Sequence, residues 1–135
     1  YYTTTDDKIL FCDDGFGAIL ISSTFENGQG LLIFDNPVTS SGAYKSKERL
    51  KSIVLPNTVE TMESYYGCTG LRELYCKAIT PPTASADFLS KYSGVQGHTP
   101  LGCKIYVPKE SVEMYKAAKY WSDYADKIVG YDFTE

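Results

Sequence analysis

The sequence predicts an α+β domain: a short solenoid of stacked short strands, closed by an N-terminal β-hairpin cap and a C-terminal helical cap. Three observations predict it. The chain resembles itself at a 21-residue offset, so that Leu32-Ile33-Phe34 falls on Ile53-Val54-Leu55 and then on Leu74-Tyr75-Cys76. Val38 likewise meets Val59, Tyr44 meets Tyr65, and Leu50 meets Leu71. The strand pattern returns once more, as Ile105-Tyr106-Val107-Pro108 after an insertion, matching Ile53-Val54-Leu55-Pro56. Both ends of the chain lie outside the period and carry β-like and helix-like patterns of their own.

A period of this size lies in the range of leucine-rich repeats, whose units bury their apolar sides only against neighbours. At 135 residues the chain forms one domain, with room for one core. Residues 1–30 read as the N-terminal β cap, 31–76 as the repeats, 77–103 as an insertion, and 104–135 as the last strand and helical cap.

Within the first cap, Lys8 to Phe11 reads as a short strand followed by a turn at Asp13-Asp14-Gly15. Ala18 to Ile21 runs on toward Thr24-Phe25, and Asn27-Gly28 marks a hairpin turn, longer than two residues, before a strand from Leu31 to Asp35. In the repeats each strand ends near a polar turn, Asp35-Asn36-Pro37 in one and Pro56-Asn57 in the next. Pro56 suits a strand end because it donates no ladder hydrogen bond. Val38 and Val59 then return to the core, and Tyr44 and Tyr65 follow on the return limb.

Alternation along the strands assigns their faces. Leu32, Ile53, Leu74 and Ile105 point inward, as do Phe34, Leu55, Cys76 and Val107. Between them, Ile33, Val54, Tyr75 and Tyr106 must face outward, as an apolar and aromatic stripe. Thr80-Pro81-Pro82 then rules out continuous helix or central strand. Ala84 to Tyr92 reads as a short helix and Ser93 to Gly102 as a loop. Ser111 is the N-cap of the final helix, with Val112, Tyr115 and Ala118 at helical spacing and Trp121, Tyr124 and Ile128 continuing its apolar side after a break near Ser122.

Leu50-Lys-Ser-Ile-Val-Leu-Pro-Asn-Thr-Val59 with Gly67-Cys68-Thr-Gly-Leu71 resembles the BspA-like leucine-rich repeat of bacterial surface proteins. Leu74-Tyr75-Cys76-Lys77-Ala78 with Thr80-Pro81-Pro82 is similar to the segment closing many such arrays. Ile105 to Pro108 and Trp121 to Phe133 look like their C-terminal ending. The departures are Glu63 where the repeat carries glycine, Ala43-Tyr44 and Ser64-Tyr65 in place of Ala-Phe, and Lys47 in place of cysteine. The resemblance implies export to the surface of Bacteroides-type bacteria, lipid anchoring through a segment not present here, and roles in adhesion and protein or host-surface contact. It implies no catalytic residue.

Composition narrows the function classes. Net charge is −4, and the densest basic stretch, Lys45 to Arg49, is diluted by Glu48. Nucleic-acid binding needs a concentrated basic footprint, which this chain lacks. No apolar run approaches the ~18 residues of a membrane span. The chain opens at Tyr1, as a trimmed or mature segment would. The 12 tyrosines suit half-exposed faces or a recognition surface.

The outward stripe Ile33, Val54, Tyr75 and Tyr106 is therefore the candidate binding surface, for a protein partner or for self-association; cover by the insertion or the helical cap is the structural alternative. The four cysteines, Cys12, Cys68, Cys76 and Cys103, read as buried thiols, with a Cys76–Cys103 bridge as the alternative. His98 beside Cys76 or Cys103 lacks the third group a nucleophilic pair needs and the ligand count a zinc site needs. Asp6-Asp7 and Asp13-Asp14 lack the spacing of a calcium loop. No cofactor or metal is expected. The expected function is a non-enzymatic, exported interaction domain. A glycan-binding module using Trp121 and surface tyrosines is the alternative, and a hydrolase is a distant third.

Overall fold

The computed structural model describes residues 2–4, 20–34, 36–40, 50–62, 70–84 and 103–133. Seven strands form one mixed sheet: β1 (Tyr2–Thr4), β2 (Leu20–Glu26), β3 (Gln29–Phe34), β4 (Leu50–Leu55), β5 (Glu73–Cys76), β6 (Lys104–Pro108) and β7 (Ile128–Tyr131). Their order across the sheet is β2-β3-β1-β4-β5-β6-β7. Among the described residues one α-helix, α1 (Val112–Ala117), follows β6. The fold is α+β.

The first half of the sheet is antiparallel. β2 and β3 form the expected hairpin, but its turn is only two residues long, since Glu26 pairs with Gln29. Asn27 and Gly28 both take positive φ, 53° and 77°, the pattern of a type I′ turn whose twist matches that of the flanking strands. β3 accordingly begins two residues before the expected Leu31. Lys8 to Phe11, the turn at Asp13, Ala84 to Tyr92 as a helix, His98, Cys12 and Cys68 fall wholly or largely outside the described residues.

From β4 onward the sheet is parallel and the expected register holds. Ile53 lies opposite Leu74 and Leu74 opposite Ile105, and the structure adds a step the sequence did not predict, Ile128 opposite Ile105. Tyr2 extends this line from the antiparallel side, opposite Ile53. All five side chains are buried, and each fully buried Leu or Ile contributes about 1.5–3 kcal/mol. Leu55 and Cys76 form a second inward pair, while Val107 sits opposite Gly130. A side chain at Gly130 would press on Val112 and Lys109, so glycine lets β7 close against the start of α1.

A second, shorter parallel ladder runs on the far side of this core. Ser40 bridges Thr61 and Thr61 bridges Thr83. Glu60 N–H donates to Thr39 O at 2.7 Å and Met62 N–H to Thr83 O at 2.8 Å. Val59, Met62 and Leu71 fill the space between the ladders.

Three expectations need correction. First, β3 is not a neighbour of β4, because β1 lies between them. Tyr2 faces both Gly30 and Ile53, which puts Gly30, not Leu32, level with Ile53. Leu32 and Phe34 still pack on the core, but not beside Ile53 and Leu55. Second, Ile128 starts a strand rather than continuing a helix. The chain leaves α1 at Ala118, turns at Tyr120 with φ 69°, and passes through 3₁₀ turns over Trp121–Lys127. Trp121, Tyr124 and Ile128 are buried as expected. Third, Ser111 occupies the N-cap position of α1 but makes no capping bond; its hydroxyl donates to Ile79 O at 2.7 Å, tying the helix to the loop after β5.

Candidate functional site

The outward face of the parallel strands carries a continuous aromatic surface. Val54 lies opposite Tyr75, Tyr75 opposite Tyr106, and Tyr106 opposite Val129. Strand spacing dictates the stacking that follows. Hydrogen-bonded neighbours run ≈ 4.7–4.9 Å apart, so tyrosines at equivalent positions with like rotamers lie face to face at that distance. The Tyr75 and Tyr106 rings stack at 4.7 Å with planes 14° apart.

Tyr131 leans across this pair from β7, edge-on to Tyr75 at 5.3 Å and to Tyr106 at 5.7 Å. Phe133 in turn tilts against Tyr131 at 4.8 Å. Aromatic contacts of this geometry contribute about 0.5–1.5 kcal/mol each beyond area burial, so the four rings hold one another in place. They nevertheless remain accessible: Val54, Tyr75 and Tyr106 are half-buried, and Val129 and Tyr131 are 41% and 42% exposed.

One polar bond fixes the centre. The Tyr75 hydroxyl donates to Glu73 Oε2 at 3.0 Å. Its acidity falls accordingly: partial burial first, then the bond to the Glu73 carboxylate and its charge, push the phenol up to about 12. Tyr75 is therefore a neutral donor committed to Glu73 throughout the physiological range. Lys104 pairs with Glu73 in the ladder, so a charged border flanks the rings at the start of the strands.

Of the four residues expected on this face, the structure brings together Val54, Tyr75 and Tyr106. Ile33 is 46% exposed on β3, as alternation requires, yet β1 separates it from Val54. It does not join the patch. Tyr131, Phe133 and Val129 do, and sequence reasoning passed over them because it placed Ile128 on the apolar side of the helical cap and recognised no strand there. The signal was present: Ile128-Val129-Gly130-Tyr131 repeats the alternation of Ile105-Tyr106-Val107-Pro108.

The two cysteines among the described residues lie elsewhere. Cys76 and Cys103 are buried thiols with no bridge between them. Burial pushes the Cys76 thiol up despite its contacts with Tyr115 and Ala78, and a protonated, enclosed sulfur is a poor nucleophile. The Tyr115 hydroxyl sits 3.4 Å from Cys76 Sγ and donates to Ala78 O at 2.7 Å. Its phenol is raised by burial, with smaller contributions from Cys76. Trp121, which the alternative glycan-binding reading would use, is 1% exposed and donates from Nε1 to Pro82 O at 2.8 Å. It is a core residue. Among the described residues no three His, Cys, Asp or Glu side chains gather as a metal site would need, and no helix is long and apolar enough to cross a membrane.

No known protein family model matches the chain, and no curated protein matches it in sequence.

Proposed function

We propose that this chain is a short repeat domain of the BspA-like leucine-rich-repeat type, exported to the bacterial surface. In this reading it is not an enzyme, and it contacts a protein or host-surface ligand through the outward sheet face. The repeat reading draws on the two parallel ladders, Ile53–Leu74–Ile105 and Ser40–Thr61–Thr83, on opposite sides of one core; the steps from Ile53 to Leu74, Ser40 to Thr61 and Thr61 to Thr83 nearly match, and the longer step to Ile105 carries the insertion. A coil that advances one strand spacing per turn produces that pattern.

The observation that carries the binding reading is the stacked Tyr75–Tyr106 pair with Tyr131 across it. Contiguous apolar surface left open to water marks interaction sites more often than not. Tyrosine is enriched at interfaces because it supplies large contact area at low conformational cost. The rings here are already held by one another and by Glu73, so little further ordering would be lost on association.

The test is surface plasmon resonance of wild type and of the Tyr75→Ser/Tyr106→Ser double variant against immobilised extracellular-matrix proteins, with sedimentation of both in parallel. The reading predicts saturable binding, or a wild-type dimer, that weakens at least about tenfold in the double variant, as loss of two interface tyrosines implies. Far-UV circular dichroism should be unchanged. Equal behaviour of the two proteins would remove this face from the function.

A further inference from the structure

The carboxyl ends of β5, β6 and β7 enclose a cleft distinct from the strand-centre pair Tyr75–Tyr106, with a volume of about 170 Å³. One wall is the exposed side of Tyr131, backed by Phe133 at 4.8 Å. Ile79, 49% exposed, and the buried Pro108 complete the apolar lining. The rim carries Lys77 from the residue after β5, Lys109 and Glu110 from the 3₁₀ turn after β6, and Asp132 from the residue after β7. We infer that this cleft binds one uncharged pyranose ring of a glycan.

Size is the first argument. Pockets for drug-sized ligands run ≈ 300–1,000 Å³, so this cleft has room for a single ring. Charge is the second. The rim carries both signs, Lys77 and Lys109 against Glu110, with Asp132, which has a partner of its own, beside them, so an anionic ligand drawn by the two lysines also meets Glu110. A cation meets the reverse. The rim selects against net charge of either sign.

Hydrogen-bond chemistry is the third argument, and it separates a sugar from an apolar side chain. Lysine only donates and an ionised carboxylate only accepts. An inserted leucine or phenyl ring would strip water from these groups and return no bonds, which is unfavourable. Hydroxyls on a pyranose accept from Lys77 and Lys109 and donate to Glu110, while the ring's C–H face lies on Tyr131. Among the described residues the side chains of Lys77, Lys109 and Glu110 have no hydrogen-bond or ionic partner, so their bonding capacity is turned outward.

The experiment is saturation-transfer NMR on the whole chain with the methyl glycosides of glucose, galactose and mannose and with N-acetylglucosamine. Expected is saturable binding of at least one, with a dissociation constant in the millimolar range and the strongest transfer to one C–H face. Tyr131→Ala and Glu110→Ala should each weaken it at least fivefold, and Glu110, being exposed, can be truncated without touching the core. Silence of all four sugars would overturn the inference. So would binding of inorganic phosphate or p-cresol in their place, which would assign the cleft to an anion or to an apolar side chain. Either result leaves the protein-contact reading of Tyr75 and Tyr106 standing, since its test uses neither Glu110 nor Tyr131.

Discussion

Trp121→Ala is expected to lower the unfolding free energy by about 3–5 kcal/mol, the range for emptying a buried tryptophan site. The indole is 1% exposed. It meets the Tyr115 ring edge-on at 4.8 Å, and Tyr115 is the helix residue that reaches Cys76 and Ala78. Removing it opens a cavity that Tyr115 cannot fill while bonded to Ala78. It also strands the Pro82 carbonyl, which receives the indole N–H at 2.8 Å, and an unpaired buried acceptor costs about 1–3 kcal/mol. Domains of this kind have only about 5–15 kcal/mol of stability in total. Urea unfolding followed by circular dichroism measures the loss, and a change below about 1 kcal/mol would place Trp121 at the surface.

Gly30→Ala is the second large effect, expected to cost at least about 2 kcal/mol, within the range for overpacking. A methyl group on Gly30 would overlap the carbons of the Tyr2 ring. Tyr2 has no room to yield, because it is buried and sits between Gly30 and Ile53 in the ladder. Either the ring leaves the core, or β1 separates from β3. A double-mutant cycle distinguishes this from a simple loss of strand propensity. In a Tyr2→Leu background the smaller side chain leaves space, and Gly30→Ala should cost less than half as much. An equal cost in both backgrounds would show that the ring does not lie over Gly30.

Legibility in the sequence followed the range of the physical signal. The parallel register of β4, β5 and β6 could be read directly, because the 21-residue offset from Ile53 to Leu74 and the strict alternation around Tyr75 both report the same geometry. The central part of the binding face, Val54, Tyr75 and Tyr106, came with it. β1 could not be read. It is three residues long and pairs with partners tens of residues away, so no local pattern announces it. Ile33 was misplaced for that reason alone.

The C-terminal cap misled differently. Trp121, Tyr124 and Ile128 are spaced as one helical stripe and are all buried, but the burial is shared among 3₁₀ turns and a strand. The break is made by Tyr120 at φ 69°, a conformation that tyrosine sequence context does not signal. Missing β7 hid Tyr131 and Phe133, and with them the cleft between Lys77 and Lys109. Those residues join only through tertiary packing.

The most direct test of the central claim, that successive parallel strands gather these tyrosines into one outward surface, is a ring-proton NOESY spectrum. It should show cross-peaks between the Tyr75 and Tyr106 rings and from Tyr131 to both, with none from these three to Tyr115 or Trp121. Cross-peaks from Tyr106 to Tyr115 or Trp121, with none to Tyr75, would place Tyr106 in the core and contradict it.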